Sequence, residues 1–251
     1  MKRKTNNMLR LLLTGIMIAL FINACALDQK KSEPAVPPSD ITQKKKQFFD
    51  LIRPAAMEEN RQLDKAHARI ARLNRDRLQG RSISAKDRTW LLSMVHDYKI
   101  EHPNLAHDDT WQQLLERVDI IPLELVLAQA ANESAWGTSR FAREGHNYFG
   151  QWCYRKGCGL IPKHRQAGAT HEVARYASAR ESVKSYMHNL NSSPAYTQLR
   201  KIRAHARKRN RTINAIELAE GLNKYSERGQ QYVRSLQILI RSNAAIMQQS
   251  G

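Results

Sequence analysis

A chain of 251 residues and 28.8 kDa, 41% hydrophobic and 25% charged, has enough apolar material for one substantial core, which excludes disorder throughout. Eleven Gly and eight Pro exclude collagen-like or linker-dominated chains, and few aromatics among many Leu, Ala and Arg favour a mainly α class over a sandwich or barrel. The 41 Lys and Arg against 23 Asp and Glu give a net charge of +18, a surface that attracts anionic polymers or membranes without specifying which.

Lys2, Arg3, Lys4 and Arg10 precede an apolar run from Leu11 to Ile22. That run is shorter than the roughly 20 residues of a permanent membrane helix and reads as the apolar part of an export signal, so residues 1–24 are expected to be removed. The run ends in Ile22-Asn23-Ala24-Cys25, which resembles a bacterial lipobox and makes Cys25 the expected lipidation site. The alternative is an ordinary secreted protein cut nearby. Ala26 rather than Asp after Cys25 resembles the sorting pattern of outer-membrane lipoproteins, so the expected location is the periplasm, anchored to the outer membrane through lipid. Residues 1–24 hold four basic and no acidic residues; the remaining 37 Lys and Arg against 23 acids still leave +14.

Residues 25–46 carry Pro34, Pro37, Pro38 and several lysines with little apolar periodicity, and are expected to form a flexible tether. Residues 47–81 read as a basic helical arm, only partly packed, with weak apolar repeats at Leu63, Ala66, Ile70 and Leu73. The globular domain is expected over residues 82–251. It opens at Ser84, an N-cap followed three residues later by Asp87, and a stripe of Trp90, Leu91, Met94, Val95 and Tyr98 predicts a packed helix. After a break at His102 to Asn104, a short helix from Thr110 buries Trp111, Leu114 and Leu115.

Pro122 then starts a nearly all-apolar helix, LELVLAQAANESAW, stopped by Gly137 and expected to be central, with Trp136 packed back on it. A short helical turn, TSRFARE, leads into the aromatic and Gly-rich loop HNYFGQWCYRKGCGLIP, and a brief extended stretch is expected between Thr170 and Tyr176. Ser178 with Glu181 caps the next helix. Further helices are expected from Pro194 to about Arg209, Thr212 to about Leu222 and Gly229 to about Gln249.

Glu133 sits near the end of the apolar helix. Loss of hydration there disfavours the ionised form of a carboxyl, the condition for a general acid near neutrality; the alternative is an idle acid on an exposed helix face. Cys153 and Cys158, placed by export in an oxidising compartment, are expected to close a small disulfide loop. His164 and His171 are not at zinc-finger spacing, so no metal and no cofactor is expected. The cluster Arg200, Lys201, Arg203, Arg207, Lys208, Arg209 and Arg211 lacks an interleaved aromatic platform; it reads as a solvated helix face, and no nucleic-acid partner is expected.

The stretch AQAANESAWGTSRFAREGHNYFG resembles the glucosaminidase domain of bacterial autolysins of the FlgJ and AcmA type, with Glu-Ser-small-Trp-Gly ending a helix and Asn-aromatic-Phe-Gly following. RYASARESVKSYMHNL and the pair Tyr225-Ser226 ahead of Tyr232 are similar to two further motifs of that family. The resemblance spans roughly residues 105 to 242, and WQQLLERVDIIP with the paired cysteines is similar to the Bax-type subgroup. It implies a lysozyme-like helical domain with a short extended or β-hairpin lobe. It also implies hydrolysis of the β-1,4 bond after N-acetylglucosamine in peptidoglycan by a monomer, with Glu133 as proton donor.

The family's second acidic residue is not matched: residues 151–170 contain no Asp or Glu, which leaves Glu172 as a possible second carboxylate. The other expectation is assistance by the substrate's own N-acetyl group, with Tyr225 positioning the sugar beside Glu133; a tyrosine merely buried by its ring remains open. The resemblance implies that Asn147, Phe149 and Gly150 carry a glycan-binding wall. Trp152 either stacks on a sugar or packs in the core, and Ser134 either holds a substrate hydroxyl or ends the helix. Two rivals stay open, a lytic transglycosylase and a non-catalytic, lipid-anchored wall-binding protein.

Overall fold

The computed structural model describes residues 38–248 apart from 164, 166 and 167; the expected export signal, Cys25 and the tether up to residue 37 lie outside the described residues. The chain divides into Met1–Ile41, of which only the start of the first helix is described, and Thr42–Gly251, which holds everything below. Among the described residues the fold is helical with one small antiparallel sheet, the mainly α class expected.

Helix α1 (Pro38–Leu78) runs for 41 residues, so the stretch from residue 38 to 46 is helix where a tether was expected. Its apolar residues are few but correctly spaced: Phe49, Ile52, Ala56, Leu63 and Ile70 recur on one face, and all are buried in the common core. Polar ties complete the docking. Arg53 donates to the carbonyl of Met247 at 2.5 Å, and Asn60 exchanges two hydrogen bonds with the backbone of Ile121, at 2.7 and 3.0 Å. The basic arm is therefore a structural wall of the globular unit, with Arg53 turned into the interface and Lys44, Arg61, Lys65, Arg72 and Arg75 exposed.

Helix α2 (Ala85–Asp97) starts as expected, with Ser84 Oγ accepting the Asp87 N–H at 3.1 Å. Helix α3 (Asp108–Arg117) buries Trp111 and Leu114. Helix α4 (Leu123–Ser134) is buried at every position from Leu125 to Ala131. After α5 (Arg140–Gly145) the chain forms β1 (Trp152–Cys153), β2 (Gly159–Leu160) and β3 (Glu172–Ala174), in spatial order β1-β3-β2, with Trp152 opposite Val173 and Gly159 opposite Ala174. A Cβ on Gly159 would lie 2.0 Å from the Val173 carbonyl oxygen, so only glycine permits this close pairing. Helix α6 (Ala179–Ser192) is capped by Ser178. A 3-10 turn at Pro194–Tyr196 precedes α7 (Thr197–Lys208), then α8 (Ala215–Ala219) and α9 (Gln230–Gln248) follow. Helix α4 lies against both α8 and α9. No helix among the described residues is long and apolar enough to cross a membrane.

The basic cluster of α7 is split, which corrects the expectation of a solvated face. Arg200 and Arg203 are buried. Arg203 donates to the carbonyls of Glu116, Asp119 and Ile120 and to Asn191 Oδ1, and Arg200 donates to the carbonyls of Leu190 and Ser193. These guanidiniums satisfy carbonyls left without partners where α3 and α6 end. Lys201, Lys208, Arg209 and Arg211 are the members that face solvent.

Candidate active site

Helix α4 ends abruptly one residue after Glu133. Ala135, Trp136 and Gly137 all adopt left-handed backbone, with φ of 49°, 57° and 78°. A non-glycine residue costs about 1–2 kcal/mol there, so two in succession must be held from outside. The Ala135 and Trp136 N–H groups both turn back to the Ala131 carbonyl, and Ser134 Oγ, while donating to Ala130 O at 2.6 Å, accepts the Gly137 N–H at 2.8 Å. The Trp136 ring packs against Phe48 and Phe49, with centroids at 5.8 and 5.3 Å. Trp136 thus packs against the core, as expected, and braces the turn on α1. A Cβ on Gly137 would sit 3.1 Å from the Phe48 ring, a second reason for glycine there.

This turn presents Glu133, half-buried, to a set of tyrosines. Tyr232 of α9 donates its hydroxyl to Glu133 Oε1 at 2.7 Å, and Asn132 Nδ2 donates to the same oxygen at 3.0 Å. Behind them Gln129, one helical turn earlier, donates to Tyr232 Oη at 2.9 Å and accepts from Tyr186. Burial, and then the Glu133 charge, push the Tyr232 and Tyr196 phenols up. Tyr232 is thereby kept protonated and able to donate.

Tyr225 stacks on Tyr232, centroids 5.5 Å apart and nearly parallel, and donates its hydroxyl to the Phe149 carbonyl at 2.8 Å. The structure thus brings Tyr232, not Tyr225, onto Glu133. Tyr225 forms part of the wall of a groove of about 660 Å³ that also runs along Gly150, Trp152, Asn189, Tyr196 and Lys224. Trp152 is 57% exposed at its rim, stacked on His171 with centroids 4.1 Å apart, so it belongs to the groove and not to the core.

Of the other expected site residues, Asn147 and Ser134 are internal to the scaffold, while Phe149 and Gly150 line the groove. Asn147 is buried and ties its turn together, donating to the carbonyls of Gln151 and Ala174 and accepting from the N–H groups of Phe149 and Gln151. Phe149 lies beneath it, stacked on Tyr186 at 3.9 Å. Ser134 is the helix-end clasp described above.

Cys153 and Cys158 form the expected disulfide, with a Cα–Cα separation of 6.2 Å. Glu172 lies beside it, and its two oxygens accept the N–H groups of Gly157 and Gly159 at 3.0 and 2.8 Å. Those backbone hydrogen bonds hold its carboxyl below the usual range. The three residues cluster closely enough to suggest metal ligation, but both sulfurs are spent in the disulfide. Two roles escaped sequence reasoning: that of Tyr232, met only within the C-terminal tyrosine motif, and that of Gln129. The signal for Gln129 was an amide inside the buried run of residues 125–131, one turn before Glu133.

Residues 108–245 match the glucosaminidase family, described as mannosyl-glycoprotein endo-beta-N-acetylglucosaminidase. The chain is 35% identical over 164 residues to Protein bax of Escherichia coli (strain K12), a match covering 65% of this chain and 58% of that protein. Two solved structures are similar. One is a type VI secretion system effector-immunity complex from Pseudomonas protegens, at 17% identity, covering 81% of this chain and 94% of that chain with a TM-score of 0.40. The other is a C-terminally truncated glycoside hydrolase domain from Salmonella typhimurium FlgJ, at 24% identity, covering 50% of this chain and 85% of that chain with a TM-score of 0.36. With more than half of its length matched, and with the acid-bearing helix end and the tyrosine that holds it both inside the matched stretch, the chain belongs to the glucosaminidase family of glycoside hydrolases.

Proposed function

We propose that the chain is a peptidoglycan hydrolase that cleaves the β-1,4 bond after N-acetylglucosamine, with Glu133 protonating the leaving oxygen. The observation that carries this reading is the fixation of the Glu133 carboxyl by the Tyr232 hydroxyl at 2.7 Å, with the Tyr232 ring stacked on Tyr225, a wall residue of the groove. A general acid must be held by groups that tolerate both of its protonation states. The hydroxyl and amide on Glu133 do so, because both are neutral. Tyr225 and Trp152 offer ring faces along the groove for sugars to pack on.

Glu172, the possible second carboxylate, is engaged by its own loop through the Gly157 and Gly159 N–H groups. This supports a reaction in which the substrate's N-acetyl group, not a second carboxylate, stabilises the developing positive charge. Tyr225 then acts as a positioning residue and Glu172 as the latch of the lobe. The same single-acid geometry keeps a lytic transglycosylase as the second reading. Mass spectrometry of digested glycan strands separates the two: a hydrated N-acetylglucosamine reducing end is expected, and anhydromuramyl products would assign the second. Glu133→Gln run in parallel should abolish either product. Equal inactivity of wild type and variant, both folded, would leave only binding of the wall. Export and anchoring through Cys25 complete the reading, and loss of detergent-phase partitioning in Cys25→Ser tests them.

A further inference from the structure

A second groove, of about 720 Å³, lies between α1, α2 and α6. Apart from Lys184 and His188 on α6, all its lining residues precede residue 108, where the family match begins. Most of it therefore lies outside the stretch matched by the family model. Lys99 and His188 line both grooves. His188 is fixed on this shared wall by the Asp97 carbonyl at 2.8 Å and by the ring of Tyr98, 5.1 Å away. A branched ligand seated in the first groove reaches the second by passing over that wall.

The chemistry of the second groove differs from the first. Its floor is apolar, with Leu63 buried and Met94 and Trp90 half-buried, and the far face of Trp90 is covered by the Arg69 guanidinium at 4.0 Å. Glu59 is half-buried in it and makes no hydrogen bond or ion pair among the described residues; burial raises its carboxyl, against the pull of the more distant Lys184 and His188. Lys99 and Lys184 stand exposed at the edge. An inward carboxylate without a partner, two outer cations and an apolar floor complement a short peptide with small side chains, a free amine and free carboxylates. Neutral sugars offer such charges hydroxyls but no opposite charge.

We propose that the α1–α2–α6 groove binds the peptide stem of the glycan strand whose sugars occupy the neighbouring groove, an inference that rests on reading the chain as a peptidoglycan hydrolase. Glu59 receives the stem's amine, and Lys184 and Lys99 receive its carboxylates.

Two readouts on the full chain test this. In the first, a sugar-free stem tetrapeptide bearing a side-chain amine is titrated while the Trp90 indole N–H is followed by NMR. Saturable movement is expected in the wild type, with binding weakened about tenfold in Glu59→Gln and Lys184→Ala, the loss of a charge-assisted hydrogen bond. In the second, hydrolysis is compared on strands with stems and on strands stripped of them by an amidase. The same variants should lose about tenfold on the first substrate and nothing on the second. A silent Trp90, or variants slowed equally on both substrates, would overturn the proposal. A wild type that binds the tetrapeptide but cuts neither substrate would instead remove the hydrolase reading and leave the stem site standing.

Discussion

Two acids flank the same helix and are treated in opposite ways. Asp119, just before α4, is 1% exposed and lies between two guanidiniums, with Arg207 donating at 2.7 and 3.1 Å and the Arg203 Nε 3.6 Å away. Burial works against its charge, but the Arg207 hydrogen bonds and the Arg203 charge prevail and hold the carboxyl below its usual range. Glu133, near the end of α4, is held by a hydroxyl and an amide, and no cation pairs with it among the described residues. Protonating Asp119 takes the counter-charge from the buried Arg203 and the half-buried Arg207, whereas protonating Glu133 strands no cation among the described residues. The first arrangement fixes a fold, and the second leaves an acid free to exchange its proton.

The contrast can be broken most severely at Glu133 itself. Glu133→Gln should lower turnover by about 10²–10⁴, the range for loss of a general acid, while unfolding free energy stays within about 1 kcal/mol of wild type. A variant that loses stability instead would place Glu133 with the structural acids. Next in size is Arg203→Ala, expected to cost about 3–5 kcal/mol in denaturant unfolding because Asp119 is left buried with half its compensation. Unfolding at the wild-type midpoint would show that Arg207 alone suffices.

Tyr232→Phe straddles the two cases. It removes the donor to Glu133 and leaves the Gln129 amide without its acceptor, so roughly tenfold in rate and about 1–3 kcal/mol in stability should go together. Activity at the wild-type level would move the burden of orienting Glu133 to Asn132. The smallest effect is on acid tolerance. A carboxyl held low when folded adds stability that is present above its ordinary value, near pH 4, and is lost as pH falls through the lower folded value. Asp119→Asn should therefore flatten the decline of stability below about pH 4. The remaining slope should respond to Glu172→Gln, since Glu172 is held low by the Gly157 and Gly159 N–H groups. An unchanged slope in both variants would detach acid unfolding from these acids.

Much of the fold was legible because local chemistry and packing agree. Ser84 and Ser178 cap the helices they were expected to cap, and the apolar run of α4 is central as its composition demanded. The docking of α1 was not legible, because its buried residues are diluted among many charges and no single window carries a strong stripe. Arg200 and Arg203 were invisible as core residues for another reason. A guanidinium is buried only when distant carbonyls converge on it, and convergence is a property of the whole fold. At the site, Glu133 was found from its helix-end position, but Tyr232 shares its spacing with the apolar face of α9, so nothing in the sequence points its hydroxyl at Glu133. Asn147 and Ser134 were recognisable as important residues, yet only their hydrogen bonds reveal that they serve the backbone.

Phe48 and Phe49 lie far outside the stretch that matches the family, yet they buttress the left-handed turn on which Glu133 stands. Homology alone would excise a fragment that keeps every acid and tyrosine of the site while discarding the keystone beneath them. Such a fragment would inherit the reactive groups without the alignment that makes them useful. The unit that holds Glu133 in place is thus longer than the stretch the family model matches, and α1 can shift that residue's setting without lying inside the match.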